Sequence, residues 1–107
     1  MKVEQFYNKN QFIIYGGDAL YTFQSYNSII AQIKEDGTLV LGFDWNYSNT
    51  TLRHLYLFID EFYRFTSNYI QNLFAEFKEL KNKKQFIQNL IDNDIIKIDE
   101  NLGNIRL

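Results

Sequence analysis

No cysteine occurs among the 107 residues, and histidine appears once, as His54. The first absence removes disulfide scaffolds, thiolate zinc sites and cysteine nucleophiles together. The second removes any multi-histidine metal centre, so neither a metal nor a cofactor is expected. Proline is also absent, beside abundant Ile, Asn, Lys and Tyr. That bias fits AT-rich coding better than it fits a structural demand. A large charge of one sign is missing too. The formal net charge of −2 is too small for a strongly basic nucleic-acid binder or a heavily acidic DNA mimic. No apolar run approaches a membrane span and no N-terminal stretch resembles a signal peptide. The expectation is a soluble, cytoplasmic protein with no membrane partner.

Aromatic residues are plentiful, at 18% of the chain, and include ten Phe and eight Tyr. Phe supplies much apolar area per residue, so a core large enough for one domain can be built from few side chains. Tyr adds area with few rotors and so also suits a binding surface. Residues 50–91 carry six bases and four acids, against three and five in residues 1–49. A solvated helical face explains that excess.

Periodicity divides the chain into 1–47, mainly β; 48–92, mainly helical; and 93–107, short β or irregular. Val3, Phe6 and Tyr7 suggest a short helical turn within residues 3–10. Gln11–Tyr15 and Ala19–Tyr26 read as strands around Gly16-Gly17-Asp18. Ile29–Lys34 and Thr38–Phe43 flank Glu35-Asp36-Gly37. A two-residue turn would set Leu39 and Leu41 on the face opposite Ile29, Ala31 and Ile33. A three-residue loop gathers all of them with Phe43 on one face, with Gly37 free to take a positive φ. Past Phe43 the alternation stops, and Ser48, Asn49 and Thr50 are each suitable N-caps. Leu52, Leu55, Ile59 and Phe62 recur at helical spacing, which continues through Thr66, Tyr69, Leu73 and Phe77. The polar run Arg64–Asn68 predicts a break. Asn82 to Gln85 reads as a capping box for a helix ended by Asp92-Asn93-Asp94. Ile95–Ile98 and Asn104–Leu107 would form a short terminal hairpin. The fold expected is α+β: an N-terminal antiparallel sheet of three to four strands packed by C-terminal helices.

No constellation of catalytic residues stands out. His54 lacks a fixed acid at helical spacing, and Asp44 would have to reach it through space. The pairs Glu35-Asp36, Asp60-Glu61 and Asp99-Glu100 read as solvated surface. Lys78, Lys81, Lys83 and Lys84 form a small basic patch, which a soluble helix end explains equally well. Trp45, Tyr47, Tyr26 and Tyr56 are the informative aromatics. In one reading they form the lid where hairpin meets helix, with Phe43 and Leu55 in the core beneath. In the other, part of the cluster with Arg53 is an interaction hot spot, because Trp, Tyr and Arg dominate such spots. Trp45 fits the lid. Tyr26, Tyr47, Arg53 and Tyr56 are the candidate partner-binding residues, and exposed aromatics also allow a homodimer.

Phe23-Gln24-Ser25-Tyr26-Asn27-Ser28-Ile29-Ile30-Ala31, then Leu39-Val40-Leu41-Gly42-Phe43-Asp44-Trp45-Asn46-Tyr47-Ser48-Asn49-Thr50-Thr51, then Leu55-Tyr56-Leu57-Phe58, follow a recurring pattern. It resembles a small uncharacterised domain of phages, plasmids and integrated elements of low-GC Gram-positive and related bacteria. The resemblance spans roughly residues 20–60, with Phe43 where a basic residue is expected. It implies a small accessory protein of the kind that counters host defence by binding a nuclease complex. The functional expectation is therefore a non-enzymatic inhibitor, an anti-CRISPR or similar anti-defence protein, whose partner is a host defence protein such as a Cas nuclease complex. A small nucleic-acid-binding or regulatory accessory protein is the alternative, with salt-dependent binding as its mark.

Overall fold

The computed structural model describes residues 2–17, 19–26, 28–100 and 102. Strands β1 (Lys2–Phe6), β2 (Asn8–Tyr15), β3 (Tyr21–Ser25), β4 (Ser28–Ile33) and β5 (Leu39–Gly42) run as an antiparallel meander. Helices α1 (Asn49–Phe62), α2 (Asn68–Phe74) and α3 (Lys83–Asp92) follow, joined by the 3-10 turns Tyr63–Phe65 and Phe77–Glu79. The chain then returns as β6 (Lys97–Asp99), parallel to β5. The fold is α+β with a six-stranded mixed sheet in the order β1-β2-β3-β4-β5-β6.

This sheet is larger than the three to four antiparallel strands expected, for two reasons. Residues 3–10 are not a helical turn. Val3 and Tyr7 are exposed and only Phe6 is buried, while Val3, Glu4 and Gln5 pair with Ile14, Ile13 and Phe12. Ladder hydrogen bonds to a strong neighbouring strand outweigh a three-residue helical spacing. Tyr7, at φ 59, reverses the chain. The second addition is β6, which joins β5 instead of standing apart. The other arm of the expected terminal hairpin, Asn104–Leu107, lies outside the described residues.

Register gathers the core onto one sheet face. Ile13, Phe23, Ala31 and Leu41 are consecutive cross-strand partners, and all are buried. Helix α1 lies over them with Leu52, Leu55, Phe58, Ile59 and Phe62 turned inward. Phe58 stacks on Phe23 at 5.4 Å and on Phe62 at 4.9 Å, and Phe6 meets all three edge-on. Offset and edge contacts of this kind add about 0.5–1.5 kcal/mol per pair beyond area burial.

The β4–β5 loop has the three-residue form. Lys34 and Thr38 close it with a 2.9 Å hydrogen bond, and Gly37 sits at φ 88. Its tip also meets the start of α2. The Ser67 amide donates to Gly37 O at 2.9 Å, and a Cβ on residue 37 would stand 2.5 Å from Ser67 N. Ser67 then caps α2, whose buried residues are Ile70 and Phe74. The helical phase is thereby shifted by one from the Tyr69–Leu73 spacing read in the sequence.

Phe43 does not share the hairpin's inner face; it is 61% exposed. In β4 the register slips so that Ile30 is an extra residue between Ala31 and Ile29, a bulge that buries both isoleucines. The bulge brings the Ile29 carbonyl against β5, and a Cβ on residue 42 would lie 2.1 Å from it. Strand β5 therefore ends at Gly42. A turn closed by Trp45 N–H to Gly42 O at 3.1 Å throws Phe43 outward and Trp45 inward, where it is 2% exposed. Trp45 is thus part of the core rather than its lid. Replacing Gly42 by Ala should destabilise the fold by about 3 kcal/mol, the upper end for overpacking a closed site. That corresponds to a melting midpoint lower by roughly 12 °C or more. Calorimetry checks it, with Glu35→Ala as the neutral control.

Candidate functional site

Two chain reversals and the first turn of α1 meet at one end of the sheet. The β3–β4 reversal brings Ser25, Tyr26 and Ser28, the bulge brings Ile30, and the segment after β5 brings Asp44 and Tyr47. Together with Thr51 of α1 they line a cleft of about 180 Å³. Ser48 starts α1 by accepting the Thr51 amide at 3.1 Å, which selects it from the three caps the sequence allowed. That bond fixes Thr51 against the cleft wall.

Tyr26 is held in a strained position, at φ 54. A bulky residue pays roughly 1–2 kcal/mol for a left-handed backbone and stays there only if its surroundings insist. They do. Its amide donates to Asn10 O at 2.8 Å, and its carbonyl accepts from Gln24 Nε2 at 2.7 Å. The ring is consequently projected into solvent, 57% exposed, and Tyr47 across the cleft is 80% exposed.

Ile30 and the tyrosine rings make much of the cleft surface apolar, and the sheet behind it holds buried polar side chains. Gln24 and Gln32, both buried elsewhere in the sheet, have partners: Gln32 Nε2 donates to Thr22 Oγ1 at 3.1 Å, for example. Among the described residues, the buried side-chain atoms without a partner are both amide ends of Gln11 and the Ser25 hydroxyl. These two residues are direct cross-strand partners in β2 and β3. Leaving such groups unpaired costs about 1–3 kcal/mol each, so their pairing off in one place is informative.

The chain belongs to DUF8033, a family of unknown function, whose model matches residues 1–89. No curated protein and no solved structure matches it. The match to DUF8033 covers the whole cleft.

Of the four residues picked as partner-binding in the sequence, the fold brings Tyr26 and Tyr47 together. Arg53 is exposed on α1 but is not part of the cleft lining. Tyr56 is half-buried with its ring edge-on to Phe77 at 5.8 Å, and burial pushes its phenol pKa up. Ser25, Ser28, Asp44 and Thr51 were not picked. For Ser25, Ser28 and Asp44 the signal was the short spacing Ser-Tyr-x-Ser and Asp-Trp-x-Tyr, which sets polar or acidic residues within three positions of a tyrosine. His54 is buried and its Nδ1 bonds Thr50 O at 2.8 Å, so that nitrogen carries the proton. It does not line the cleft with Asp44. Lys83 of the basic patch is tied to Leu80 O at 2.9 Å and lies over the Phe77 ring. Among the described residues, no group of three His, Cys, Asp or Glu could hold a metal ion, and no helix is long and apolar enough to cross a membrane.

A second groove lies along α1, where Tyr7, Asp60, Glu61, Lys78 and Glu79 are among the lining residues. The Tyr7 hydroxyl donates to Glu61 Oε1, and that bond raises the phenol pKa. Desolvation raises the Asp60 carboxyl above its ordinary value of 3.8, against the pull of Lys83 and Lys78. A raised folded-state pKa means stability that is fully present below pH 3.8 and lost as pH climbs through the raised value. Asp60→Asn should therefore melt higher than the parent at pH 7, with the gap closing as pH falls toward 3.8. Thermal melts across pH 3.5–7 test this, and an unchanged gap would count against it.

Proposed function

We propose that the protein is a non-enzymatic accessory protein of a phage or other mobile element that binds and inhibits a bacterial defence complex in the host cytoplasm, in the manner of an anti-CRISPR protein. One observation carries the binding half of this reading. Residues from two of the three stretches through which the sequence resembles a mobile-element domain line a single cleft, with two exposed tyrosines at its rim. Tyrosine is a favoured hot-spot residue because it buries a large rigid area at small entropic cost. The strained backbone of Tyr26 is a stability cost sustained at the same place. The choice of a defence complex as the partner rests on the resemblance.

Affinity purification of the tagged protein from cells with active CRISPR and restriction systems is the direct test. The parent should recover a nuclease or another defence subunit, and Tyr47→Ser should recover at least tenfold less, a hot-spot loss of about 1.4 kcal/mol or more. Tyr47 is exposed, so this substitution should leave the melting temperature within about 2 °C of the parent. Recovery of no defence subunit, or salt-sensitive retention of DNA or RNA in its place, would sink the proposal.

A further inference from the structure

Resting on the docking reading above, we propose that the Tyr26–Tyr47 cleft receives a single arginine side chain projected by the partner protein. Size sets the first limit. At about 180 Å³ the cleft is slightly larger than the roughly 150 Å³ cavity that accommodates benzene. It holds one side chain and not a peptide segment.

Charge sets the second. Asp44 is the acidic residue of the lining, and no Lys or Arg occurs among its described residues. The N-terminus of α1 nearby contributes the equivalent of about half a positive charge, less than the full carboxylate it would have to cancel. Its Thr51 amide is moreover already taken by Ser48. The cleft therefore favours a cation over an anion. A nucleotide base could offer donors to Asp44, but it would bring its phosphate toward that carboxylate on a chain of net charge −2.

Hydrogen-bond inventory chooses between the cations. Beside Asp44 the lining offers the hydroxyl of Ser28 and the rings of two tyrosines, while the unpartnered Ser25 hydroxyl and Gln11 amide are fully buried. A guanidinium carries five N–H donors in a rigid plane, enough to pair Asp44 and still reach a second acceptor. Its faces also stack on tyrosine rings, which an exposed pair at the rim supplies. An ammonium is a compact point with three donors and offers no planar face to the rings.

Nuclear magnetic resonance titration of the full chain tests this with four probes: acetyl-arginine amide, its uncharged isostere acetyl-citrulline amide, acetyl-lysine amide and GMP. Arginine amide should saturate with a Kd on the order of millimolar and shift the amides of Ser25, Asp44, Tyr47 and Thr51. Citrulline amide should bind at least tenfold more weakly, and Asp44→Asn should reduce the arginine affinity by a similar factor. Ser28→Ala provides a second variant: it deletes a half-buried hydroxyl of the lining, so the fold should be retained while arginine affinity drops severalfold. Citrulline or GMP matching arginine, or unchanged arginine affinity in both variants, would overturn the inference. In the capture experiment, loss with Tyr47→Ser but not with Asp44→Asn would leave the docking reading standing and remove the arginine. Capture unaffected by either substitution would remove both.

Discussion

The carbonyl of Ile29 occupies the space where residue 42 would carry a side chain, 2.1 Å from the position of its Cβ. Much of the molecule follows from that contact. The bulge in β4 turns the carbonyl toward β5 and sets Ile30 facing the cleft. Pairing of β5 stops at Gly42, and the turn beyond it sends Phe43 to solvent and Trp45 into the core. Asp44 and Tyr47 are left on the surface side of that turn, and Ser48 can then open α1. A single position without a Cβ thus fixes the end of the sheet, the start of the helical layer and one wall of the cleft.

A second glycine contact shapes the helices. Gly37, at the tip of the β4–β5 loop, receives the Ser67 amide beyond the 3-10 turn that follows α1. Ser67 caps α2, which buries Ile70 and Phe74, and Phe74 packs against Phe77 and Phe86. At the far end, the Asp94 amide bonds Ile91 O and the Ile95 amide bonds Leu90 O, with Asp94 at φ 58. This is a Schellman termination, and it redirects the chain into β6.

Some stability has been given up near the cleft. Tyr26 keeps a backbone conformation unfavourable for its side chain, as Tyr7 does in the β1–β2 turn, and Gln11 and Ser25 are buried without partners while neighbouring amides are satisfied. The aromatic core of Phe6, Phe23, Phe58 and Phe62 supplies the surplus that lets the fold tolerate them.

Short-range rules made much of this legible in the sequence. Alternation and the Gly37 position chose the hairpin register, because a one-residue slip would have put Leu39 and Leu41 in water. Helical spacing chose the inner face of α1, and cap chemistry named Asn82 and narrowed the start of α1 to Ser48, Asn49 or Thr50. Half of the capping box failed, since Gln85 Nε2 donates to Asn89 rather than turning back. The candidate residues were partly legible: Tyr26 and Tyr47 meet at the cleft, but Tyr56 packs on Phe77 and Arg53 lies outside the lining. What periodicity could not supply were contacts between segments distant in the chain. The pairing of β1 with β2 overrode a helical spacing, and β6 found β5 across three helices. Only the bulge at Ile30 could bring Ser25, Asp44 and Thr51 around one space. The sequence determined which residues prefer strand, helix and cap, because those preferences act over a few residues. The tertiary structure decided where Gly37 and Gly42 admit a foreign backbone, and with that where the cleft lies.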